Sequence, residues 1–144
     1  MHPYPHQYTV RAAGGPAGNV AVTADRLPDL STAPPAEFDG PGDQWSPETL
    51  LCAAVANCFI LTFRAVARAA RLEWSDLGCR VEGVLDRKDG VAQFTGYTTY
   101  ATLRLSAGAD LEKARPLLEK AERACLIANS LRGERHLVAE ISQA

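Results

Sequence analysis

Residues Leu50 to Phe63 form a fourteen-residue run in which only Asn57 and Thr62 are polar. A segment apolar on every side has no face to offer water, so it reads as a helix buried all round. Its start is marked just upstream. Ser46 is a good N-cap, Pro47 suits the first helical position, and Glu48 complements the positive end of the helix. The helix is predicted to run to about Ala70. Asn57, Arg64 and Arg68 recur at steps of seven and four, which gives its second half a polar edge. Fourteen residues are too few to cross a bilayer, and the run leads into Arg64 and Arg68, so a core helix is the reading.

The rest of the chain arranges itself around that helix. Gln7–Ala13 and Asn19–Ala24 alternate as strands about the Gly14–Gly18 turn, predicting a hairpin. Pro28 to Trp45 is rich in Pro, Gly, Asp and Ser and reads as a long irregular segment that lines a site or a subunit contact. Leu77–Arg87 and Ala92–Ser106 read as strands joined at Lys88-Asp89-Gly90. Asp110 caps a second helix reaching about Cys125, with Cys125–Leu131 as an extension or a separate short helix. Gly133 is the stop, and His136–Ser142 alternates as a last strand. Strands, core helix, strand pair, helix and strand in that order indicate an α+β fold. A length of 144 residues suits one domain, 1–144.

Composition narrows the function. The chain is 47% hydrophobic with a net charge of −2, so it can build a core but carries no bulk basic field. Nucleic acid and anionic membrane are therefore not expected partners. The first residues, Met1 to His6, lack a basic stretch followed by an apolar one, and a cytoplasmic location is expected. The four cysteines, Cys52, Cys58, Cys79 and Cys125, are then reduced at rest. They form no close ligand pairs, and His2, His6 and His136 lie apart from them, so neither a metal nor a bound cofactor is expected.

Cys58 lies inside the apolar helix and Cys125 beside the second one. A thiol that reduces peroxide needs a thiolate, a group that orients the peroxide, and a second thiol to capture the sulfenic acid. These two cysteines supply candidates for nucleophile and resolving thiol. A buried cysteine also serves as a small hydrophobe, so position alone leaves both roles open.

Three segments carry a resemblance: Trp45-Ser46-Pro47-Glu48-Thr49-Leu50-Leu51, Ala53-Ala54-Val55-Ala56-Asn57-Cys58-Phe59, and Cys125-Leu126-Ile127-Ala128-Asn129-Ser130-Leu131-Arg132-Gly133. Together they resemble the OsmC/Ohr family of osmotically inducible and organic hydroperoxide resistance proteins. The resemblance implies antiparallel sheets packed on a long central helix and completed by an intertwined homodimer. It implies a thiol peroxidase for organic hydroperoxides, with Cys58 peroxidatic, Cys125 resolving and Glu48 the carboxylate of the site. It also implies an external dithiol reductant of the dihydrolipoyl type. The alternatives are an OsmC-like dimer that binds an apolar small molecule, and a thiol redox sensor.

Two features bear on those roles. Glu48 and Cys58 are ten residues apart, about 15 Å along a straight helix. Either the helix breaks between them, or Glu48 serves Cys58 of the other subunit, which is the expectation preferred here. The arginine that peroxidase members place beside the carboxylate has no counterpart at its usual anchors. Gly14-Gly15 is followed by Pro16, and Phe38 is preceded by Glu37. Arg11 and Arg26 are the nearest substitutes in the chain, with Arg64 and Arg68 farther along. Cys125 is also followed by Leu126 where better-known members carry proline.

Overall fold

The chain divides into two compact units, residues 1–51 and 52–144, and its longest helix, α1 (Pro47–Ala69), has 23 residues. The structure is a computed structural model that describes residues 1–144.

In the first unit, β1 (Arg11–Ala13), β2 (Val20–Thr23) and β3 (Leu30–Thr32) form an antiparallel sheet in that order. The two expected hairpin strands are present but shorter. β3 lies inside the segment expected to be irregular. Its three residues pair Thr32 with Val20 and Leu30 with Val22. Flanking prolines hide so short a strand in the sequence, and only pairing with β2 reveals it. A 3-10 turn at Ala36–Phe38 follows. Ser46 starts α1 as expected. Its Oγ accepts the Thr49 N–H at 3.1 Å, and its own N–H donates to Thr49 Oγ1 at 2.9 Å, so two otherwise orphaned donors are satisfied reciprocally.

The second unit is built on β4 (Trp74–Lys88) and β5 (Val91–Leu105), a long antiparallel hairpin turning at Asp89–Gly90. Two helices, α2 (Leu111–Ala124) and α3 (Leu126–Asn129), then lead to β6 (Glu134–Gln143). Asp110 caps α2, its Oδ1 accepting the Glu112 N–H at 3.0 Å. Here one pairing departs from the antiparallel expectation: β6 runs parallel to β5, from Gly96–Glu134 to Leu105–Gln143. The chain leaves the far end of β5 and is carried back along it by α2, about 21 Å long, so that β6 restarts at the near end. Gly133 makes the re-entry possible. Its φ is +105°, and a Cβ there would sit 2.9 Å from the Thr95 carbonyl carbon.

One core joins α1, α2 and the sheet: Phe59, Phe63 and Ala67 meet Leu77, Ala101, Leu103, Leu105, Ala114, Leu118 and Ala121. The sheet positions alternate, so its other face keeps Arg80, Glu82, Arg104 and Glu140 in water. Burial of α1 departs from the sequence expectation. Only the Val55, Phe59, Phe63 and Ala67 stripe is fully buried, while Asn57, Leu61, Arg64, Ala65 and Arg68 are exposed. A single chain covers one side of this helix. At 23 residues, with a mean hydropathy of 2.0 in its most apolar stretch, α1 has the length and composition of a membrane span, which the fourteen-residue run lacked.

Candidate functional site

A second, smaller apolar cluster in the same unit consists of Val55, Cys125 and Ala128, with Cys58, Val81, Ile127 and Leu131 packed against it. It brings together the two thiols that are 67 residues apart in the chain. Cys58 is placed by α1, one turn from Val55. Cys125 is placed by the corner between α2 and α3, where its extended backbone (ψ 103°) ends one helix and starts the next.

The environments of the two sulfurs differ in sign. Burial raises the Cys58 pKa, but the polar influence of the Ile127 main chain, the Cys125 thiol, the Thr62 hydroxyl and the Leu126 main chain opposes it. Their sum lowers it below the ordinary thiol value of 9.0. The Thr62 Oγ1 is 3.8 Å from the Cys58 sulfur. Cys125 is 2% exposed. Burial raises its pKa, partly offset by the Ala128 N–H, and the Cys58 charge raises it further. The Cys125 sulfur lies 4.0 Å from the Val55 carbonyl. The two thiols therefore differ in direction, Cys58 being the more readily ionised of the pair.

The other two cysteines are set apart by their surroundings. Burial pushes Cys79 up to about 11, with the Cys125 charge adding to it. Burial also raises Cys52, which sits under the hairpin against Gly83, where a Cβ would lie 2.9 Å from its sulfur.

Glu48 belongs to the first unit. Its Oε2 is buried and has no hydrogen-bond partner within the chain. Because α1 is continuous from Pro47 to Ala69, the option of a helix break between Glu48 and Cys58 is removed. Of the candidate arginines, Arg11 is engaged with Asp25 at 3.0 Å, and Arg26, Arg64 and Arg68 are exposed. No cluster of three or more His, Cys, Asp or Glu is placed to hold a metal ion.

One residue at the site escaped sequence reasoning. Arg135, on β6, donates from Nε to Glu122 Oε1 at 2.6 Å, from Nη1 to Asn129 Oδ1 at 2.6 Å, and from Nη2 to the Glu122 carbonyl. The last strand was expected to start at His136, two residues after the observed start at Glu134. Running the Leu137, Ala139, Ile141 alternation back by one step would have put Arg135 on the inward face.

A sequence model described as OsmC-like protein matches residues 40–139. The chain belongs to the OsmC-like family. A Xanthomonas axonopodis pv. citri organic hydroperoxide resistance protein is 33% identical over 125 residues, covering 85% of this chain and 84% of the relative. The uncharacterized protein YmaD of Bacillus subtilis is 32% identical over 111 residues, covering 75% and 74%. Among solved structures, an organic hydroperoxide resistance protein from Legionella pneumophila superposes with a TM-score of 0.74 at 28% identity, over 99% of both chains. The α+β architecture is thus that of OsmC-like proteins, and the hydroperoxide-resistance names of the Xanthomonas and Legionella proteins suggest a peroxide-related redox role.

Proposed function

We propose that this protein is a thiol-dependent peroxidase for organic hydroperoxides, with Cys58 as nucleophile and Cys125 as resolving thiol. The observation that carries the reading is the packing of both cysteines in one small cluster, with the Cys58 pKa shifted down and the Cys125 pKa shifted up. The Cys58 thiolate attacks the peroxide oxygen, the O–O bond breaks, and a proton accompanies the departing alcohol. Cys58 is left as a sulfenic acid. The Cys125 thiol then displaces water from it and forms the Cys58–Cys125 disulfide. An external dithiol of the dihydrolipoyl type reduces that disulfide and returns both thiols. No resident cofactor takes part. The apolar lining from Val55, Val81 and Ile127 suits an organic peroxide better than hydrogen peroxide.

The same reading includes a cytoplasmic homodimer. Only 22% of the most apolar stretch of α1 is buried within the chain, and a second copy would cover the remainder. It would also give the orphaned Glu48 Oε2 a partner. Glu48 then acts on Cys58 of the other subunit, since an unbroken helix separates it from its own. The absence of a free arginine at the expected anchors favours a second reading, an OsmC-like dimer that binds an apolar small molecule or signals through its thiols without turnover.

The test is to add one equivalent of cumene hydroperoxide to the reduced protein and count thiols. Loss of two per chain, abolished by Cys58→Ser, with turnover on dihydrolipoamide, supports the peroxidase. Loss without turnover supports the redox sensor, and no loss at micromolar peroxide leaves the binding protein.

A further inference from the structure

We propose that Arg135 is a positioning residue that fixes the Cys125 corner against Cys58. The inference rests on the thiol-pair reading and adds a residue to it. The three hydrogen bonds of the guanidinium end on Glu122 and Asn129, which stand three residues before and four residues after Cys125. One side chain on β6 therefore holds the last turn of α2 and the end of α3 together.

The main chain of Cys125 is part of the same network. Its N–H donates to the Glu122 carbonyl at 3.4 Å, and its carbonyl accepts the Asn129 N–H at 2.9 Å. Leu126 and Ile127, whose main chain lowers the Cys58 pKa, lie between the two anchors, and Ile127 packs in the same cluster as Cys58. The local apolar packing is thin, with Val55, Cys125 and Ala128 as its only fully buried members. A corner of this size needs polar ties to hold its orientation.

Burial makes the Arg135–Glu122 pair more than a surface contact. The two side chains are 25% and 20% exposed, so truncation of the arginine strands a half-buried carboxylate. Lysine is not an equivalent, because a single ammonium does not reproduce a planar fork spanning two separate acceptors. The position of Arg135 is set in turn by Gly133, which lets β6 enter beside Gly96 and puts Arg135 opposite Tyr97.

The experiment compares wild type with Arg135→Met, Arg135→Lys and Asn129→Ala. It reads two quantities: the pH midpoint of Cys58 alkylation by iodoacetamide, and the partition of Cys58 between disulfide and sulfinic acid after cumene hydroperoxide, by peptide mass spectrometry. Arg135→Met is expected to move the midpoint upward and to slow disulfide closure roughly ten- to a hundredfold, since small misplacements of reacting groups carry penalties of that order. Sulfinic acid accumulates as a result. Arg135→Lys follows the same direction. Asn129→Ala removes one exposed anchor and gives a smaller change of the same sign, which keeps the test open if the arginine variants do not fold. Folded variants with the wild-type midpoint and the wild-type partition would overturn the proposal. Alkylation requires no peroxide, so it tests Arg135 even if the wild-type protein proves inert to hydroperoxide, the result that defeats the peroxidase reading.

Discussion

Thr62 Oγ1 lies 3.8 Å from Cys58 Sγ, one turn farther along α1, and is a side-chain donor to this sulfur from the same helix. Thr62→Val keeps the shape and β-branching but removes the hydroxyl. The Cys58 pKa is expected to rise, and its alkylation at neutral pH to slow. A pH–rate profile of iodoacetamide labelling checks this; an unmoved profile would show that the main-chain groups and Cys125 lower the Cys58 pKa alone.

The thiols titrate in a definite order. Cys58 is lowered from 9.0, whereas Cys79 is raised to about 11. Quantitative peptide mapping of partially alkylated native protein should find label on Cys58 first and on Cys79 last. Equal labelling of Cys58 and Cys79 below pH 9 would contradict the assigned environments.

Stability on the alkaline side follows from the same burial. Below pH 9 Cys79 is protonated whether the chain is folded or not. Between about 9 and 11 the unfolded chain ionises it while the folded protein does not, so the native state loses ground as pH rises through that window. Cys52 and Cys125 act in the same direction. Urea midpoints measured from pH 8 to 11 should fall, and Cys79→Ala should fall less steeply. A variant that tracks wild type throughout would remove Cys79 from this account.

Gly133→Ala is expected to destabilise the fold by about 1–3 kcal/mol, the range for a residue held in an unfavourable backbone region. The new methyl meets Thr95 C, Thr95 O and Gly96 N at 2.9, 3.0 and 3.1 Å, all main-chain atoms that cannot swing aside. Equilibrium urea unfolding measures the loss. The Arg135 contacts should weaken in parallel, raising sulfinic acid formation at Cys58. Unchanged stability would mean that β6 can shift its register without cost.

Leu118 on α2 is 0% exposed and belongs to the core shared by α1, α2 and the sheet. Leu118→Ala should cost about 2–5 kcal/mol through lost transfer energy and the cavity left behind. A chemical-denaturation curve within error of wild type would place the core of this unit elsewhere.

Local chemistry made much of this protein legible before any coordinates. Ser46-Pro47-Glu48 announces α1 because caps act through neighbouring backbone groups, and Lys88-Asp89-Gly90 announces the hairpin because few residues tolerate that turn. Cys58 and Cys125 stand out as candidates because their segments resemble those of known proteins. What a sequence does not display is anything set by partners distant in the chain. β3 is a strand only because β2 lies beside it, and β6 is parallel only because α2 returns the chain to the start of β5. The stripe of α1 that is buried depends on how much surface one chain can cover. The difference between the two thiols belongs to the same class. Cys58 owes its lowered pKa mainly to groups on α3 and Cys125, nearly seventy residues away, and the corner that presents them is tied down by an arginine that sequence reasoning left just outside its strand. Resemblance along the chain singled out which cysteines could matter; surroundings assembled across the fold set which of the two has the lower pKa.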